Sequence, residues 1–318
     1  ENKYLETLPN IDINIKCGNS LISYFDINQS LNRYPNIQDK IFEYKVLVKN
    51  YKDGIYNSKI EIDDKIKELL ESFRTFCLND KFFEQINKFH RLCREYSEKY
   101  GNYLVKDDKD LKKYFGQKTL FASQFDETEA KKDFEILIKK YNDIFNLEAK
   151  RPFEWRFEFP EVLDNEGDFT GFDLIIGNPP YIRQEEIKEL KPNLEKLFSV
   201  YKGTSDIYTY FYEQGFKVLK DNGILNFITS NKFTRAGYGE PLRDFLLKNT
   251  SILEFVDLNG IKVFASATVD TSIVMFRKKK PDKSQNIFYA NPKDNNLDFL
   301  EYSKIEQSEL NKDAFIFG

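Results

Sequence analysis

Phe172-Asp173-Leu174-Ile175-Ile176-Gly177-Asn178-Pro179-Pro180-Tyr181 is the stretch on which the fold of this chain turns. Its first half is a short continuous apolar run, the pattern of a buried strand in a parallel sheet. Its second half is a loop, and in open α/β sheets ligands sit just beyond the carboxyl ends of the strands. Two successive prolines fix the backbone there and remove two N–H donors, which leaves the Pro179 carbonyl without a local donor. Asn178 adds a side-chain carbonyl, and Tyr181 adds a flat aromatic face. A plain turn would also use Asn and Pro, but paired prolines directly after a buried strand are an uncommon way to make one.

These parts suit the activation of a planar nitrogen attached to a ring. The lone pair of such an amine is delocalised, so it is a poor nucleophile. Two acceptors, Asn178 Oδ1 and the Pro179 carbonyl, can each take one N–H and draw the nitrogen towards a pyramidal geometry. Acceptors placed in advance act by electrostatic preorganisation, and holding amine and electrophile together adds the proximity effect. Tyr181 would stack on the ring.

Downstream, Ser205 or Asp206 can cap a helix carrying Ile207, Tyr210, Phe211, Val218 and Leu219, which ends at Asp221-Asn222-Gly223. Ile224 to Thr229 reads as a strand, Pro241 to Lys248 as a short helix with Pro near its start, and Ile252 to Leu258 and Val269 to Arg277 as two further strands. Strand-helix-strand-helix-strand order implies a mostly parallel α/β sheet, with the last two strands paired antiparallel. Beyond Lys280 the chain is polar, and residues 281–318 are expected to be a linker.

Upstream, residues 28–150 are rich in Lys, Glu, Asp and aromatics and poor in Gly and Pro. Ile62, Ile66, Leu69, Leu70, Phe73 and Phe76 recur at helical spacing, as do Phe134, Leu137, Ile138, Tyr141 and Phe145. This region reads as a helical insertion between residues 1–27, where Ile11 to Ile22 alternates like a strand ended by Gly18, and the catalytic region 151–280. Its charge runs read as solvated helix faces, with DNA contact by one face as the alternative.

The 318 residues are 41% hydrophobic and 16% aromatic, which indicates a folded globular chain. The formal net charge of -4 does not announce a nucleic-acid binder, nor does it exclude one whose positive charge is confined to a cleft. Cys17, Cys77 and Cys93 lack CxxC spacing, and the single His90 has no companion ligands, so neither a disulfide framework nor a metal site is expected. There is no apolar run of membrane-span length and no signal peptide, so no membrane partner and a cytoplasmic location are expected. The first residue is Glu1 and the only methionine is Met275, so the chain reads as a fragment.

The Asn178-Pro179-Pro180-Tyr181 loop resembles motif IV of the amino-methyltransferases, and its surroundings resemble the type IIG restriction–modification enzymes and related phage-exclusion methyltransferases. Lys16-Cys17-Gly18-Asn19-Ser20-Leu21 resembles motif III, with Asn19 in the place of the residue that contacts the cofactor adenine. The aromatic Pro152 to Val162 stretch resembles the segment preceding the catalytic strand. Ser205-Asp206-Ile207-Tyr208 with Phe211 resembles motif V, and Asn222-Gly223 with Ile224 to Asn231 resembles motif VI. Val263-Phe264 with Thr268-Val269-Asp270-Thr271 resembles motif VIII, where an aromatic residue packs on the target base.

The resemblance implies a Rossmann-like methyltransferase sheet, incomplete at its N-terminus, and S-adenosylmethionine-dependent transfer to the N6 amine of a flipped adenine in double-stranded DNA. It implies Asn178, Pro179, Pro180 and Tyr181 as catalytic residues, Tyr181 and Phe264 as stacking residues, and Asn19, Ser20, Asn178 and Asp206 as cofactor contacts. The glycine-rich motif I and the acidic ribose-binding residue are not found. They are expected on an upstream cofactor-binding segment, with a target-recognition domain downstream and an associated endonuclease activity in the full-length protein. The fragment alone is expected to bind the cofactor weakly.

Several matches keep a plainer reading. Asp206 could serve only as a helix cap, and Phe264, Tyr208 and Phe211 could belong to the core. Two other functions also remain open: a methyltransferase acting on RNA or on a protein glutamine amide, and a non-catalytic DNA-binding or assembly module.

Overall fold

The computed structural model of the protein describes residues 15–23, 25–29, 31, 34–55, 59–106, 108–115, 125–145, 153–264, 269–294, 297 and 299–317. The chain divides into two compact units, one of residues 1–25 and 31–160, the other of residues 26–30 and 161–318.

The first unit is helical, as the apolar periodicity requires. Its described helices are α1 (Ile37–Lys52), the 42-residue α2 (Lys59–Tyr100), α3 (Lys109–Lys112), α4 (Glu127–Phe145) and α5 (Trp155–Glu158). Phe89, Cys93, Tyr96 and Tyr100 form one stripe of α2 and bury against Ala130, Leu137 and Ile144 of α4. The Tyr100 hydroxyl donates to Asp133 Oδ2 at 2.7 Å, and Lys99 pairs with Glu129 at 2.8 Å on the same seam. Asp108 caps α3 by accepting from the backbone of Asp110 and Leu111.

The strand expected over Ile11 to Ile22 lies partly outside the described residues, and Ile15 to Ser23 form a turn instead. Residues Phe153 to Phe159, expected with the catalytic region, belong to this helical unit. The reason is local bonding: the Phe153 amide donates to the carbonyls of Asn19 and Ile22, and the Trp155 indole donates to the Ser20 carbonyl at 3.2 Å.

The second unit is a six-stranded sheet in the order β1-β2-β4-β3-β5-β6. The strands are β1 (Phe172–Gly177), β2 (Leu219–Ser230), β3 (Ser251–Asp257), β4 (Thr271–Arg277), β5 (Asn286–Ala290) and β6 (Ser303–Glu306). β1, β2, β3 and β5 run in one direction, with β4 and β6 against them. The sheet is thus mostly parallel in strand direction, and β3 and β4 pair antiparallel as expected. β4 is inserted between β2 and β3 in the spatial order.

Helices α6 (Lys191–Leu197), α7 (Tyr208–Val218) and α8 (Glu240–Asn249) connect the strands. α7 lies close on β2 because Gly215 has no side chain; a Cβ there would come within 2.2 Å of Leu225 Cδ1. Leu225, Phe227 and Thr229 alternate onto the covered face of β2.

Three local expectations need correction. α7 ends at Val218, and Asp221-Asn222-Gly223 lies within β2, where the register with β1 jumps from Leu219 to Ile224 and Asn222 takes a φ of 65°. The left-handed residue that reads as a helix cap is here part of a bulge. β1 was expected to be buried, yet among the described residues β2 is its only neighbour, and Leu174 and Ile176 are 54% and 73% exposed. Residues 281–318, expected as a linker, supply β5 and β6, because Ile287 and Ala290 are apolar enough to extend the sheet beside β3.

Candidate active site

β1, β2 and β3 point the same way, so the loops leaving their carboxyl ends gather on one rim of the sheet. The Asn178–Tyr181 loop leaves β1 there. Pro179 is buried, while Asn178 and Pro180 are exposed. Among the described residues no hydrogen bond engages the Asn178 amide or the Pro179 carbonyl, so both acceptors remain available.

Tyr181 is fixed from three sides. Its hydroxyl donates to the Ile228 carbonyl of β2 at 3.2 Å, and its ring meets Tyr208 at 6.4 Å and 78° and Phe264 at 6.1 Å and 67°. Burial pushes its phenol up to about 12, so it is a neutral donor throughout the working pH range. Tyr181 and Phe264 therefore come together, but as an edge-to-face pair and not as two parallel plates around a gap.

Asp206 does not cap α7. That helix begins with no side-chain cap, and the carboxylate faces the loop that follows β1. Its Oδ1 accepts from the Gln184 amide at 3.2 Å, and the Tyr238 hydroxyl donates to its Oδ2 over a longer 3.5 Å. The Tyr238 and Tyr208 hydroxyls are 3.0 Å apart. Burial pushes the Tyr238 phenol up to about 12 and the Tyr208 phenol well above its ordinary value, so both stay protonated. A chain of neutral hydroxyls thus links α7 to a half-buried carboxylate that retains acceptor capacity.

The residues that orient Asp206 were not legible as such. Gly237-Tyr238-Gly239 is too short a glycine signal to imply phosphate binding. Its glycine has a packing cause: a Cβ on Gly239 would stand 2.1 Å from the Phe233 carbonyl. Ser205 Oγ donates to the Tyr238 carbonyl at 3.2 Å, so the residue that reads as a cap holds this turn instead. Asn231, closing β2, donates to Asp257 Oδ1 at the end of β3 at 3.1 Å.

Asn19 and Ser20 belong to the helical unit. Asn19 Oδ1 accepts from the Leu21 amide at 3.3 Å within its own turn, and the Ser20 carbonyl takes the Trp155 indole. Thr268 lies outside the described residues. Among the described residues no three His, Cys, Asp or Glu side chains cluster, and no helix is long and apolar enough to cross a membrane.

Comparison with known proteins gives these features a family. A protein of Methanocaldococcus jannaschii, named as a type II restriction enzyme and methyltransferase, is 29% identical over 94% of this chain and 26% of its own length. The type II methyltransferase M.BstVI of Geobacillus stearothermophilus is 35% identical over 36% of this chain and 20% of its own length. Among solved structures, the type IIG restriction endonuclease BpuSI is 13% identical over 57% of this chain and 27% of that one, at a TM-score of 0.35. The chain thus spans about a quarter of its relatives' length or less. The family profile of the Eco57I restriction-modification methylases matches residues 58–264, taking in most of the helical unit together with the sheet as far as Phe264. With that match over well more than half of its length, the chain belongs to the Eco57I restriction-modification methylase family.

Proposed function

We propose that this chain carries the methyl-transfer site of a restriction–modification enzyme that methylates the N6 amine of an adenine flipped out of double-stranded DNA. The single observation that carries the reading is the rigid Asn178-Pro179 pair of unengaged acceptors at the carboxyl end of β1. An exocyclic amine has two N–H donors, and two fixed acceptors match it. Accepting both bonds weakens conjugation of the lone pair with the ring and aims it outward. Tyr181, held by Ile228, offers its face to the base.

S-adenosylmethionine, when bound, supplies an electrophilic methyl on a sulfonium. The residues present fit part of it: Asp206 is a carboxylate with acceptor capacity to spare, suited to a cationic or hydroxyl-bearing portion of such a donor. Were the donor bound, Asn178 and Pro179 would hold the N6 amine by its two hydrogens with the lone pair turned towards the methyl, and the surplus N6 proton would pass to solvent. Asn19 and Ser20 are proposed as further cofactor contacts. An upstream cofactor-binding segment, a target-recognition domain and an endonuclease activity are proposed for the whole protein, in a cytoplasmic setting.

The test is Asn178→Ala in the full-length gene product. Losing one preorganised partner of the reacting group lowers kcat by about 100-fold to 1000-fold, with DNA affinity within about twofold, since among the described residues its side chain makes no bond. Undiminished methylation by this variant would refute the mechanism.

A further inference from the structure

The loop leaving β2, Asn231 to Gly239, carries two cations and no acid. It opens with a 3-10 turn over Asn231–Thr234, in which Phe233 and Thr234 are buried while Lys232 and Arg235 are exposed. The Arg235 amide bonds back to the Lys232 carbonyl at 3.2 Å, and with three residues per turn positions 232 and 235 share one side. Some lysines of this unit pair with carboxylates, Lys217 with Glu213, Lys220 with Asp173 and Lys248 with Asp244. Among the described residues neither Lys232 nor Arg235 has such a partner. On this rim Asp206 accepts from Gln184 and Tyr238, Asp257 from Asn231 and Asp270 from the Gly260 amide, and among the described residues none of the three forms an ion pair with Lys232 or Arg235.

The loop is also held firmly. Arg243 of α8 donates to the Phe233 and Ala236 carbonyls, Lys202 Nζ donates to the Gly237 carbonyl at 2.7 Å, and the Phe315 amide donates to the Thr234 carbonyl at 2.9 Å. Two like charges presented side by side on a fixed turn, in a chain of net charge -4, create a local positive potential that an anion relieves. The turn leaves the same rim as Asn178, and Tyr238 at its far end reaches Asp206 beside the Asn178 loop.

We infer that Lys232 and Arg235 contact two phosphates of the DNA strand beside the target base, so that this turn anchors the backbone from which the base is extruded. The inference rests on the proposed function and deepens it. Phosphate contacts position the duplex without reading its sequence.

Each neutralised phosphate releases condensed counterions, which makes the number of contacts countable. The experiment measures binding of a fluorescent duplex to the full-length gene product by anisotropy between about 50 and 200 mM salt. The slope of log affinity against log salt should become shallower by about 0.9 in Lys232→Gln or Arg235→Gln and by about 1.8 in the double variant. Lys248→Gln on α8 should leave the slope at the wild-type value. Thermal melting of each variant guards against unfolding, and Arg235→Lys should restore the slope, since the charge alone is at issue. A double variant that is folded and keeps the wild-type slope would overturn the inference. Asn178→Ala separates the two proposals: if that variant methylates as fast as wild type, the proposed role of Asn178 fails while the salt slope still decides the role of Lys232 and Arg235.

Discussion

Replacing Arg243 by Met should strongly destabilise the sheet unit. Arg243 is 1% exposed, and among the described residues no carboxylate hydrogen-bonds its guanidinium. It donates instead to four backbone carbonyls: those of Phe233 and Ala236 (2.9 Å), and those of Lys312 (2.6 Å) and Asp313 (2.7 Å). One planar fork thus ties the loop after β2 to the end of the described chain. Methionine fills a similar volume and offers no donor. A hydrogen bond to a charged group contributes about 1.5–3 kcal/mol, and some of the freed carbonyls can recover water. The cost of burying the guanidinium, which pulls its pKa down, is also removed. The expected net loss is about 3–5 kcal/mol, read as a lower urea midpoint by circular dichroism. Amide exchange in residues 231–239 and at Phe315, which bonds to Thr234, should rise with it. Lysine presents one ammonium on a flexible stem and cannot span both segments, so Arg243→Lys should recover less than half of the loss. Stability within about 1 kcal/mol of wild type, with unchanged exchange, would refute this account of the clamp.

Two further outcomes follow from the tyrosine cluster. Tyr238→Phe keeps the ring and removes the hydroxyl between Tyr208 and Asp206. Losing about 1 kcal/mol of orientation at Asp206 should raise KM for the methyl donor roughly fivefold with kcat little changed, as steady-state kinetics would show. Alkaline pH should unfold the sheet unit: burial pushes Tyr181, Tyr210 and Tyr238 up to about 12. The unfolded chain ionises these phenols first, near their ordinary value of about 10, so the stabilisation present below pH 10 is lost between about pH 10 and 12. Of the 19 tyrosines, the buried ones should add a late rise in tyrosinate absorbance that coincides with loss of circular dichroism; complete ionisation before any unfolding would contradict the burial argument.

The parts of this fold that were readable in advance are those set by local pattern. Apolar periodicity marks α2 and α4, the run Phe172 to Ile176 marks β1, and Pro241 marks the start of α8. What misled were residues whose chemistry serves two ends. Asp221-Asn222-Gly223 has the composition of a helix cap and is a bulge, because the left-handed Asn222 is needed to bring β2 back into register with β1. Ser205 and Asp206 look like caps and are claimed by Tyr238 and Gln184. β5 and β6 were missed because short strands at the border of a sheet bury few residues, and the apolar run Ile287 to Ala290 is brief and lies between polar segments. The Asn178–Tyr181 loop stands out in the sequence because two prolines and an asparagine directly after a strand leave few other uses. Tyr238 and Arg243 were not, since their roles arise only from contacts with distant segments.

The central claim is the identity of the acceptor atom. The full-length gene product, incubated with tritiated S-adenosylmethionine and unmethylated plasmid, would be followed by digestion of the DNA to nucleosides. The expected result is label in N6-methyldeoxyadenosine, formed about 100-fold to 1000-fold more slowly when Asn178 is replaced by Ala. Label confined to RNA or protein substrates offered in parallel, with the DNA unlabelled, would contradict it.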